Sequence, residues 1–202
     1  MSELATFLQL GFRHIVDVDA FDHILFLVAL AAIYRFRDVR SALWVVSAFT
    51  VGHSVTLALA VTGALSMPSN VIEFLIPVTI VITGIENLIV SNRARAPWSG
   101  RYRPIFAGVF GLVHGAGFAN YLKALFVDEI AMPLLGFNIG IELGQLLVLG
   151  AAMGLLFGLD HMIGAIRISN ERWPALRVRV VAVSLVVVAV GSAWAVQRSP
   201  WG

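Results

Sequence analysis

From Ser41 to Val61 the chain runs 21 residues without Asp, Glu, Lys or Arg. As a helix rising 1.5 Å per residue, such a stretch crosses a bilayer core of about 30 Å. Apolar segments can be read at 19–34, 41–61, 70–90, 104–127, 132–159 and 179–196. Each is expected to be helical, because a span inside lipid has to satisfy its own backbone hydrogen bonds. The implied fold class is an all-α integral membrane protein, a bundle of six transmembrane helices in a single domain over residues 1–202. Hydrophobic residues make up 59% of the chain and charged residues 13%, where a soluble domain carries about 25% charged. The first segment is short, and its polar start, DVDAFDH, belongs at the interface or inside the bundle. Residues 3–12 read as a short amphipathic interfacial helix.

Arginine placement sets the expected orientation. Arg35, Arg37 and Arg40 follow the first segment, and Arg93, Arg95, Arg101 and Arg103 follow the third. Arg167, Arg172, Arg177 and Arg179 lie between the fifth and sixth, while the alternate loops TGALSMPSN and VDEIAMP hold no arginine or lysine. By the positive-inside rule the arginine loops face the cytoplasm and both termini lie outside, as in a multi-pass protein of a bacterial cytoplasmic (inner) membrane. Its first partner is the lipid bilayer. A net charge of +2, with arginines in short clusters, does not describe a nucleic-acid groove, so no nucleic-acid partner is expected. Zero cysteines exclude disulfides, thiolate metal sites and thioester chemistry. MSELATFLQLGFRH has neither a basic n-region nor a small-residue cleavage pattern, and no removable signal peptide is expected there.

With the orientation assigned, the depth of each polar residue can be read. His23 lies near the outward start of the first segment, and His53 is about twelve residues into the second, hence in the outer half. His114, in FGLVHGAGFAN, is near the midplane, with Asn120 further out. Glu73 opens the third segment at the outer face, and Asn138 and Glu142 occupy the outer half of the fifth. Polar residues of five helices therefore share one slab between the midplane and the outer surface. Helical phase adds to this: Asp19, Asp22 and His23 share a face, as do Thr50, His53 and Ser54. On the fifth segment Asn138, Glu142 and Gln145 form a polar stripe, opposite a glycine stripe of Gly136, Gly140 and Gly144 that lets a neighbouring helix approach. Such glycine-rich faces also offer a route to a homo-oligomer.

Imidazoles and carboxylates at one depth suit Zn²⁺, Ni²⁺, Co²⁺ or Fe²⁺, and the missing thiolates disfavour Cu(I). A lone membrane histidine is more often a hydrogen-bonded packing residue. Several ionisable groups converging within a membrane mark a functional site instead. The candidate ligands are His14, His23, His53, His114, Asp19, Asp22 and Glu142, for a divalent transition metal such as Ni, Co or Zn. His161, beside Asp160, is expected to be solvated, and Asp128 and Glu129 to form a loop turn. Thr79, Thr83, Glu86 and Asn87 line one face of the third segment below Pro77. They serve either as interhelical polar contacts or as a route inward for a cation.

The series HIVDVDAFDHILFLVAL, FTVGHSVTLAL, the third segment with IEN, FGLVHGAGFA and GFNIGIELGQL resembles the HupE/UreJ family, in particular its second branch. The similarity runs from about Gly11 to Leu149, and SAWAVQR is similar to the family's last helix. The resemblance implies a role in nickel or cobalt uptake. It places the family's DH pair on Asp22 and His23, its upstream histidine on His14, and its second-helix histidine on His53. Its third-helix glutamates fall on Glu73 and Glu86, its HG pair on His114 and Gly115, and its N-x-G-x-E-x-G-Q pattern on Asn138, Glu142 and Gln145. The chain departs from the pattern between His14 and Asp22, where a longer segment with Asp17 and Asp19 replaces a glycine-containing turn. Asp19 thereby becomes an additional oxygen ligand.

Two functions fit. One is a permease for a divalent metal of the nickel/cobalt type, binding the ion in the outer half and passing it along the third-helix stripe. The alternative is an intramembrane zinc-dependent hydrolase acting on a lipid or membrane-anchored peptide, with Glu142 or Asp22 as general base. No HExxH motif supports the second.

Overall fold

The computed structural model describes residues 2–17, 21–91, 102–125, 130–166, 169 and 173–201, and of residues 120 and 123–125 the backbone alone. These residues form seven α-helices and no strand: α1 (Glu3–Val16), α2 (Phe21–Ala31), α3 (Val39–Val61), α4 (Ser69–Ser91), α5 (Tyr102–Leu125), α6 (Ala131–Ala165) and α7 (Ala175–Gln197). A one-turn 3₁₀ helix, Phe36–Asp38, leads into α3. Four helical stretches, Phe36–Val61, Ser69–Ser91, Ala131–Ala165 and Ala175–Gln197, are long and apolar enough to cross a membrane. The protein is a multi-pass membrane protein. α5 matches these helices in length at 24 residues. α2, at 11 residues, is apolar but shorter than the expected first segment. At a rise of 1.5 Å per residue it covers only about 16 Å.

Large apolar side chains face outward along these helices. Val51, Val55 and Leu59 make one such stripe on α3, and Leu155 on α6 is 77% exposed. A helix that is apolar on its outer side as well as its inner one is suited to lipid. The interior is built around Phe26, Phe49, Leu57, Phe137 and Ile141.

Three helix pairs dominate the packing: α3 with α5, α1 with α6, and α4 with α7. Glycine sets the close approach in each. A Cβ on Gly111 or Gly115 would collide with the carbonyl oxygen of Phe49 or His53, and one on Gly52 with that of Gly108. Partner numbers rise together, so α3 and α5 run in the same direction. The expected stripe of Gly136, Gly140 and Gly144 does receive a helix, and that helix is α1. Gly136 meets Leu4, Gly140 meets Leu8 and Phe12, and Gly144 meets Phe12 and Ile15. α1 therefore runs parallel to α6 and seated against it, so one of its faces is a helix–helix contact and not an interfacial surface alone. α4 and α7 run in opposite directions, with Gly84 against Ser184 and Val188, and Gly191 against Pro77 and Val81.

α3 ends where Gly63 takes φ 78°. That left-handed conformation, cheap for glycine, stops the helix and turns the chain toward α4. α4 continues through Pro77. Just beyond it, the Thr79 and Thr83 hydroxyls donate to the carbonyls of Ile76 and Thr79 at 2.7 and 2.9 Å.

Candidate metal centre

His14 lies in the last turn of α1, His23 lies in the first turn of α2, and His53 is buried on α3. Each of the three offers one ligand atom within 4.8 Å of the others. The ring centroids of His14 and His23 are 4.6 Å apart, and that of His53 is 6.0 Å from both. His53 is fully buried and His23 is 7% exposed. Nε2 of His14 and both ring nitrogens of His23 and of His53 are buried without a hydrogen-bond partner. A buried polar atom left unpaired costs on the order of 1–3 kcal/mol. Three histidine nitrogens, one from each ring, converge within 4.8 Å of one another. Three imidazoles so placed could hold a transition-metal cation.

The glycines of α5 bring His114 to the same place. Gly111 and Gly115 admit the backbone of α3 at Phe49 and His53, which puts the His114 ring 5.3 Å from that of His23. His114 is not a fourth member of the triad. Its Nε2 pairs with the Thr79 hydroxyl at 2.9 Å, while its Nδ1 is buried and unpartnered. It thus joins the histidines to the polar stripe of α4.

Phenylalanines enclose the imidazoles. Phe118 and Phe137, stacked at 5.2 Å, flank His14 at 4.1 and 5.8 Å, and Phe26 and Phe49 lie 5.2 and 5.1 Å from His114. This shell is absent from the sequence reading, although its sign was present. His23 precedes Phe26 by three residues, Phe49 precedes His53 by four, and Phe118 follows His114 by four. Each pair shares a helix face.

The described candidate carboxylates Asp22 and Glu142 are engaged with other partners. Asp22 Oδ2 accepts from Arg198 at 3.0 Å, while its Oδ1 is buried and unpaired. Glu142 accepts from Ser47 at 2.7 Å, and Gln145 from Thr50 at 2.6 Å. The Asn138 side-chain oxygen is buried and unpartnered, and Glu73 is exposed on α4. Asp19, and with it Asp128, Glu129 and the side chain of Asn120, lies outside the described residues. Toward the other end of α4, Glu86 is held by Tyr102 and Arg103, and Arg103 also donates to Asn87 at 2.7 Å. Asn87 donates in turn to the Ala29 carbonyl at 2.7 Å, tying α4 to α2. A pocket between α2, α4 and α5 is lined by Leu30, Thr83, Glu86, Tyr102, Arg103 and Phe106.

Two arginines read as loop charges are buried inside helices. Arg103 begins α5 and Arg179 lies near the start of α7, 8% and 2% exposed. Arg179 bonds Asp160 at 2.5 Å and the carbonyls of Ala32 and Tyr34 at 3.1 and 2.8 Å, closing off the end of α2. His161 is exposed on α6.

Residues 1–198 match the model of the family described as HupE / UreJ protein. No curated protein and no solved structure matches the chain.

Proposed function

The chain belongs to the HupE / UreJ family, which is associated with nickel and cobalt uptake, and from that premise we propose that it is a divalent-metal permease of the nickel/cobalt type. The observation that carries the proposal is the His14–His23–His53 triad, whose buried, unpartnered nitrogens converge within 4.8 Å. The metal is the cargo. It needs deprotonated donors in a surrounding that excludes water, and the three imidazoles in their phenylalanine shell supply both.

Transport, as opposed to storage, is supported by the file of polar side chains on the inward side of the triad. His114 hands the cluster to Thr79, Thr83 continues the file on α4, and Glu86 and Asn87 end it. Glu142, Asn138 and Gln145 border the cluster from α6, with Glu73 and Asn120 toward the outer mouth. The membrane is a bacterial inner membrane, crossed six times with both termini outside. The first crossing is broken: α1 covers about 21 Å and α2 about 16 Å, so together they reach across a ~30 Å core with the histidines at the break. The directions of the three helix pairs fit this path, with α1, α2, α4 and α6 running inward and α3, α5 and α7 outward.

The hydrolase alternative is less well supported. Both carboxylates offered as its base are already bound, Asp22 by Arg198 and Glu142 by Ser47.

Detergent-purified protein titrated with Co²⁺ tests the reading, since cobalt in an imidazole site has characteristic visible absorption. Wild type is expected to bind cobalt and, in liposomes, to admit Ni²⁺ or Co²⁺. Cobalt held without flux would turn the choice toward the hydrolase, and no binding with no flux would sink both.

A further inference from the structure

Among the described residues, three arginine–carboxylate pairs lie on or near α2, and one differs from the others. Arg179 is 2% exposed and also binds the carbonyls of Ala32 and Tyr34. Arg103 is 8% exposed and holds Glu86 and Asn87 together. Both are fixed struts. The Arg198 side chain is 33% exposed, just beyond the C-terminal end of α7. It reaches Asp22 Oδ2 at 3.0 Å and lies 5.5 Å from the centroid of the Trp194 ring. Its partner is the more confined of the two: the Asp22 side chain is 17% exposed, and its Oδ1 is buried with no hydrogen bond. Asp22 is also the residue immediately before His23, yet it stands outside the 4.8 Å triad.

We infer that Asp22 is the entry ligand for the cation and that Arg198 is a resident counter-ion which the incoming cation displaces. This rests on the permease reading. Three neutral imidazoles offer lone pairs and no charge, so a dication among them, in an apolar surrounding, lacks compensation. Asp22 supplies a negative charge at the edge of the triad. Without an ion, that carboxylate would itself be a buried uncompensated charge, and Arg198 neutralises it. The long side chain of Arg198 can withdraw to the headgroup region while its stem stays on apolar surface. The C-terminal end of α7 favours a guanidinium close by in either position.

The exchange also changes the charge balance at Asp22. A monovalent ion replacing the guanidinium leaves the charge at Asp22 as it was. A divalent ion adds one positive charge and gains the three nitrogen donors behind it. The preference for a divalent transition metal therefore comes from the histidines, while Asp22 offsets part of its charge.

The test is Co²⁺ affinity for wild type, Arg198→Gln, Asp22→Asn and the double variant, at low ionic strength. Removing the competitor is expected to tighten cobalt binding about tenfold in Arg198→Gln, and removing the carboxylate to weaken it about tenfold or more in Asp22→Asn. In the Asp22→Asn background, Arg198→Gln should change affinity by less than about twofold. A second readout needs no variant: phenylglyoxal should modify Arg198, followed by peptide mass spectrometry, faster when wild type is saturated with cobalt. Unchanged affinity in Arg198→Gln, or unchanged reactivity of Arg198 on saturation, would overturn the inference while wild-type cobalt binding kept the permease reading intact. Wild type that binds no cobalt would overturn both.

Discussion

His114 and His53 divide the work of the cluster. His53 has two buried nitrogens with nothing to bind, whereas His114 commits its Nε2 to Thr79. Replacing a ligand should cost more than replacing the partner that orients a neighbour, which is worth about 10–100-fold in metal affinity. His53→Ala is therefore expected to weaken cobalt binding by more than ~100-fold, read by titration. Thr79→Val should leave equilibrium binding close to wild type and slow liposome uptake, because Thr79 joins His114 to the inward file. The convergence of His23, His53 and His114 was legible because each interrupts an apolar run at a matching position along its segment. The carboxylates' partners were not. Arg103 and Arg179 sit within the first turns of helices whose sequence starts look like loop, and Arg198 approaches Asp22 across 176 residues of chain. Glu86 gives the direct check on such pairing. Glu86→Gln leaves Arg103 buried without its charge partner and should destabilise the protein by about 3–5 kcal/mol. Thermal unfolding in detergent would show it, and Glu86→Gln with Arg103→Met should recover most of the loss.

Among the helices, glycine decides which pairs can touch. Gly111 and Gly115 let α5 lie on the backbone of α3, and that contact positions both His53 and His114. On α6, by contrast, Gly150, Gly154 and Gly158 have nothing within 4 Å of an added Cβ. The same substitution should thus act oppositely at the two places. Gly111→Val is expected to drive α5 off α3 at a cost of about 1–3 kcal/mol or more, with cobalt binding lost alongside. Gly154→Ala should be neutral or stabilising by up to ~1 kcal/mol, from helix propensity alone. Both are read by thermal unfolding and cobalt titration. The stripe of Gly136, Gly140 and Gly144 announced a partner helix without naming it. α1 was read as an interfacial helix and not as that partner, because its 14 residues cover about 21 Å, less than a span. Its matching face, Leu4, Leu8, Phe12 and Ile15, repeats at the spacing of the glycines it meets. Such a match identifies the partner only after the pair is known. That α1 ends at Val16 and α2 begins at Phe21 was hidden for a related reason: DVDAFDH reads as the polar start of one segment, at the interface or inside the bundle.

The path of the whole chain ties these pieces into one claim about sides. If α1 and α2 form a single broken crossing, Arg37 lies on the side opposite to Ser2, and α3 returns the chain so that Ser66 is on the side of Ser2. The parallel pairing of α1 with α6 and of α3 with α5 requires the same alternation. The absence of cysteine from the sequence makes this testable one position at a time. Ser2→Cys and Ser66→Cys should react with a membrane-impermeant maleimide in intact cells, and Arg37→Cys only after permeabilisation. Protection of Ser2→Cys with labelling of Ser66→Cys would mean that α1 and α2 do not cross, and the broken-helix site would lose its basis. Labelling of Arg37→Cys alone would invert the molecule. Asp22 and Arg198 would then face the cytoplasm, and the same triad would be loaded from within.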